Sequence, residues 1–80
     1  MNVKILEEGE KKLVVRIDNE TIASLVVSKL LNKAEFAGYN EEHPLKNNFD
    51  IIIIDDKPRK KLEEAIKELI KELNELEKQI

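Results

Sequence analysis

No cysteine and no tryptophan occur in the 80 residues, and histidine and tyrosine occur once each. The missing cysteine excludes disulfides, thiolate zinc sites and cysteine nucleophiles. With His43 as the sole histidine, neither a metal cluster nor a Ser-His-Asp set has its ingredients, so no metal or cofactor is expected. Two glycines, Gly9 and Gly38, are too few for a loop that cradles phosphate. No run approaches ~18 apolar residues, and the opening MNVKILEEGE has no long apolar core and no cleavage signal, so the chain is expected in the cytoplasm, away from membranes. Excess positive charge is absent too. A net charge of −3 and a pI near 5.2 argue against a surface that holds nucleic acid by neutralising phosphates, although a local basic patch is compatible with them.

What is present is lysine, glutamate, isoleucine and leucine. Charged residues make up 39% of the chain. Enrichment in Lys and Glu is a mark of hyperthermophile proteins, and an AT-rich genome produces the same bias. The length fits one domain, residues 1–80, which buries only about 60 to 65% of the surface its unfolded form exposes. No disulfide compensates for so thin a core. A partner subunit is the usual substitute.

VKIL (3–6) and KLVVRID (12–18) read as two strands joined by EEGEK, where Gly9 offers the positive φ of a tight hairpin. Leu13, Val15 and Ile17 alternate with Val14, Arg16 and Asp18, which predicts a sheet covered on one side. Asp18 and Asn19 are good N-cap residues for a helix that runs to about Asn32. Its polar positions, Thr21, Ser24, Ser28 and Asn32, form one narrow stripe of small residues. A surface helix normally shows the reverse, so this one is expected to be covered on more than one side. EFAGYN reads as a third strand, EEHPLKNN as a loop and NFDIIIIDD as a fourth strand. The unbroken Ile51 to Ile54 run suggests burial on both faces, the plainer alternative being β-propensity alone.

Pro58 suits the first turn of a helix, and no breaker follows it. Leu62, Ile66, Leu69, Leu73, Leu76 and Ile80 form a heptad seam that Ala65 and Ile70 widen. At 1.5 Å per residue this helix is roughly 34 Å long, more than so small a domain covers. KPRKK places four cations at its start, where the macrodipole favours anions, at a cost of ~0.3 to 1 kcal/mol per charge before screening. Solvated side chains are the ordinary reading, and an acidic partner or phosphate the sharper one. The order ββαββα predicts an α+β fold: a four-stranded, mostly antiparallel sheet, two helices on one side, and a long C-terminal helix that dimerises.

AEFAGYNEEHPL (34–45) gathers the rare residue types of the chain. His43 beside Glu41 and Glu42 has no adjacent nucleophile or oxyanion hole, and the ordinary reading is a loop imidazole held extended by Pro44. FAGYNEEHPL resembles the F-x-x-Y-x-x-x-H-P-L segment of the small dimerising subunits of cellular RNA polymerases, the family that includes archaeal subunit L. The resemblance extends over the whole chain. NETIASLV keeps Thr21, Ile22 and Leu25 of the family's D-H-T-L-x-N-x-L pattern, with Glu20 and Ser24 in place of its histidine and asparagine.

The resemblance implies a fold related to the dimerisation domain of the bacterial polymerase α subunit. It also implies pairing with the larger RNA polymerase D-type subunit, followed by binding of the large catalytic subunits and small assembly subunits. On this reading the chain is a non-catalytic assembly subunit of a DNA-dependent RNA polymerase, with no direct nucleic acid binding. The expected partner interface comprises Ile22, Leu25, Val26, Phe36, Tyr39, His43, Pro44, Leu45, Leu69, Leu73 and Leu76. The runner-up is a self-associating α+β module outside transcription, and a small enzyme or RNA-binding domain comes third.

Overall fold

The computed structural model describes residues 2–40 and 48–79. Strands β1 (Val3–Glu8), β2 (Lys12–Ile17), β3 (Phe36–Tyr39) and β4 (Phe49–Ile54) form one antiparallel sheet in the order β1-β2-β4-β3. Helices α1 (Glu20–Leu30) and α2 (Pro58–Gln79) lie on one face of it. The predicted element order and fold class therefore hold.

Register decides which side chains meet the helices. Val15 faces Ile51, and Leu13 faces Ile53, which in turn faces Ala37; together with Ile17 these form the inner layer of the core. Ile51 and Ile53 are fully buried, whereas Ile52 is half-buried and Ile54 exposed. Burial of the isoleucine run on both faces is thus not realised. Both helices cover the same side, so alternate isoleucines turn outward, and the run reflects β-propensity.

The hairpin also departs from expectation. Gly9 closes it by donating its N–H to the Lys12 carbonyl at 2.7 Å, yet its φ lies outside the left-handed region. A Cβ there would meet that carbonyl at an ordinary 3.5 Å, so no glycine is required. A β-bulge between Ile5 and Glu7 shifts the pairing. Val3 and Ile5, opposite Ile17 and Val15, share the helix-bearing face, while Glu7 opposite Val14 does not.

Asn19 caps α1: its backbone is extended and its side-chain oxygen accepts the Ile22 N–H at 3.0 Å. Ala23, Val26, Val27 and Leu30 are buried between the sheet and α2, so the chain itself supplies most of the cover that α1 needs. Asp55 ties three elements together. Its Oδ1 accepts the Glu35 N–H ahead of β3 at 3.2 Å, and its Oδ2 accepts the Lys57 N–H at the start of α2 at 2.9 Å. Pro58, Leu62, Ala65 and Leu69 then bury the first half of α2, and every described residue from Ile70 to Gln79 is exposed.

Candidate interaction surface

α1 and α2 pack on β2 and β4, and α1 also on β3, but the backbone of neither packs against β1. The inner face of that edge strand is left open: Val3 is 52% and Ile5 41% exposed. Across from it, α2 presents Ile66, Ile70 and Leu73. Between them runs a groove of about 200 Å³ whose floor includes Val15, Ile17, Ile22, Val26, Leu62 and Leu69. Its lining is entirely aliphatic. Such a surface offers no group for proton transfer or nucleophilic attack, and its chemistry is removal of apolar area from water. The exposed Leu76 continues the apolar line along α2 beyond the groove.

Charged side chains rim the groove without entering it. Arg59 Nη1 reaches Glu8 Oε2 on β1 at 3.2 Å. On the far side of α2, Lys29 Nζ bonds Glu72 Oε1 at 2.5 Å, and Lys33 bonds Glu68. The bond to Glu72 raises the Lys29 pKa above its ordinary value, and the bond to Lys33 holds the Glu68 carboxyl below its own. These contacts fix α2 against α1 and so set the angle of the groove wall.

The opposite face of the sheet has a different character. Arg16 Nε and Nη2 donate to Asp50 Oδ1 and Oδ2 at 2.8 and 3.1 Å, a bidentate pair beside the buried Val14. Leu6, Ile54 and Phe36 are exposed, and the Phe36 ring lies over Gly38.

The residues expected at the interface therefore fall into separate groups. Ile22, Val26, Leu69 and Leu73 come together in the groove. Val26 and Leu69 are nevertheless interior residues, so the seam leaves the body of the domain after Leu69, not before it. Leu25 is half-buried against the core outside the groove. Phe36 lies on the outer face of the sheet. Tyr39, on the β3 edge, donates its hydroxyl to Ser24 Oγ at 2.9 Å on α1. His43, Pro44 and Leu45 lie outside the described residues. Val3, Ile66 and Ile70 line the groove and were not anticipated as interface residues, nor was Ile5, exposed beside Val3 on the same face of β1. The signal for Val3 and Ile5 was present in their alternation, but which strand would be left uncovered depends on topology.

Among the described residues, no group of three or more His, Asp or Glu is placed to hold a metal ion. No described helix is long and apolar enough to cross a membrane.

The family profile of the RNA polymerase Rpb3/Rpb11 dimerisation domain matches residues 8–79. The chain belongs to that family. Its fold is similar to the crystal structure of DNA-directed RNA polymerase subunit L from Thermoplasma acidophilum, with a TM-score of 0.81 and 21% identity over 98% of this chain and 83% of that one. None of the curated proteins matches. The resemblance carried by FAGYNEEHPL thus holds at the level of the family, and the fold is that of a subunit L.

Proposed function

We propose that this dimerisation domain is a non-catalytic assembly subunit of a DNA-dependent RNA polymerase. It pairs through the groove and the exposed end of α2 with a larger subunit of the D type, and the pair then receives the large catalytic subunits and small assembly subunits. The observation that carries this reading is the aliphatic line Val3, Ile5, Ile70, Leu73 and Leu76, exposed on a member of a family defined by dimerisation. Ile22 and Leu25 flank this line from α1. Segment 41–47, with His43, Pro44 and Leu45, is assigned to later contacts with the large subunits, on the family resemblance alone.

The test is co-expression with the D-type subunit. Burial of a leucine side chain contributes roughly 1.5 to 3 kcal/mol, and a buried unpaired charge adds a desolvation cost. Leu73→Glu should therefore weaken the pair at least tenfold, whereas Glu75→Gln on the exposed face should change it by no more than about 0.5 kcal/mol. Leu45→Asp should leave the circular dichroism of the pair nearly unchanged and reduce recovery of the large subunits. A pull-down from native lysate that recovers no polymerase subunits would favour the self-associating module instead.

A further inference from the structure

Asp50 is buried on the side of the sheet that neither helix covers. Desolvating a carboxylate is costly even when it is paired, and an apolar pair of similar volume serves stability as well or better. Its effect on Arg16 is specific. Asp50 holds Nε and Nη2, so the guanidinium plane is fixed while Nη1 is left for a second acceptor. The Asp50 side chain is 5% exposed and that of Arg16 27%, so the pair turns its cationic edge outward.

Apolar groups stand next to that edge. The register puts Lys4, Arg16 and Asp50 in one row across the outer face, Val14 and Ile52 in the next, and Lys12, Ile54 and Phe36 in a third. The bulge after Ile5 adds to this face: Leu6 and Glu7, although consecutive, both line a hollow of about 330 Å³ with Val14, Arg16 and Asp50. Leu6, Ile54 and Phe36 are exposed. Lys12 is paired with Glu7 at 3.3 Å, and Asp18, beyond the end of β2, accepts the Asn2 N–H. The charge left beside the apolar stripe is that of Arg16 and the exposed Lys4. An oriented arginine ringed by apolar side chains is the composition found at the centre of protein–protein contacts.

We infer that the outer face of the sheet seats an acidic segment of a polymerase subunit other than the D type, with a carboxylate on the Nη1 edge of Arg16 and aliphatic side chains over Leu6, Ile52 and Ile54. This rests on the assembly role proposed above. The groove and this face lie on opposite sides of the sheet, so a subunit seated in the groove leaves the outer face open. A nucleic acid fits less well. Glu7 and Asp50 stand among the cations, and among the described residues Phe36 is the single aromatic on this face that could stack on a base. The charge suits one carboxylate and not a run of phosphates.

Co-expression of the chain with the D-type, large and small assembly subunits, followed by washing of the recovered complex at graded salt, tests this. Arg16→Met/Asp50→Leu replaces the ion pair by apolar groups, so circular dichroism should be unchanged. This variant should bind the D-type subunit like wild type, while its retention of the further subunits should fall roughly tenfold. Arg16→Lys keeps the charge but loses the second edge, and should show an intermediate loss. A benzophenone side chain in place of Phe36 should crosslink to a large or small assembly subunit, at a peptide containing Asp or Glu, and one in place of Ile70 to the D-type subunit. Arg16→Lys and the crosslinks decide the matter even if the double variant fails to fold. Three results would each overturn the inference and leave the assembly role standing: full retention by the folded double variant, a Phe36 crosslink to the D-type subunit or to nucleic acid, or no Phe36 crosslink where Ile70 gives one. A wild-type chain that recovers no polymerase subunit would overturn the assembly role, and this inference with it.

Discussion

Leu30 and Leu31 are adjacent leucines at the end of α1, but Leu30 is 0% and Leu31 63% exposed. Identity says nothing about the difference; the 100° step between successive helical residues says all of it. Leu30→Ala should cost about 2 to 5 kcal/mol, from lost transfer energy and the cavity left between the sheet and α2. Leu31→Ala should change stability by no more than about 0.5 kcal/mol. Urea denaturation of the two variants checks this, and equal losses would mean that α1 is rotated from the orientation described. The same reasoning explains why Asn19, not Asp18, is the cap: Asn19 accepts the Ile22 N–H, while Asp18 Oδ1 accepts the Asn2 N–H at 2.9 Å and tethers the chain ahead of β1.

At the scale of elements, α1 and α2 are held together by packing and by the Lys29, Lys33, Glu68 and Glu72 cluster. Because Glu68 titrates below its ordinary range when folded, its contribution is complete above the unfolded glutamate value of about 4.3 and is lost as pH falls through the lower folded value. Lys29 behaves in the opposite sense: raised by Glu72, its contribution holds below the unfolded lysine value of about 10.4 and is lost as pH rises through the folded one. The difference in Tm between wild type and Glu68→Gln should therefore be flat through neutral pH and shrink as pH falls below the unfolded glutamate value of about 4.3, and it should be smaller in high salt because the cluster is partly solvated. An unchanged difference at acid pH would show that the contacts act by shape and not by charge. These elements were legible in the chain to unequal degrees. The alternation in β2, the cap before α1 and the breaker-free run after Pro58 are local signals, and they sufficed for the order ββαββα. The uncovered β1 and the one-sided burial of Ile51 to Ile54 were not legible, because both depend on which face two distant helices choose. Likewise a heptad seam gives the angle of a helix face but not the point at which the body beneath it ends, so Leu69 was expected outside and is found inside.

That end point divides stability from association across the whole molecule. A 22-residue helix spans roughly 33 Å, and in α2 the core stops at Leu69 while ten further described residues, Ile70 to Gln79, remain exposed. Nothing in the core packing of this chain requires the last two turns, which bury no side chain. Under the proposed assembly role, the exposed Leu73 and Leu76 of this overhang meet the larger subunit. A chain ended after Leu73 should consequently keep its stability to within about 0.5 kcal/mol, since no core contact is removed. Its affinity for the D-type subunit should nonetheless fall about tenfold or more, from the loss of the Leu76 side chain alone. Thermal melts of the shortened chain, set beside titrations of it against that partner, separate the two quantities. Loss of both together would show that the overhang supports the core and that the interface lies on another face of the sheet.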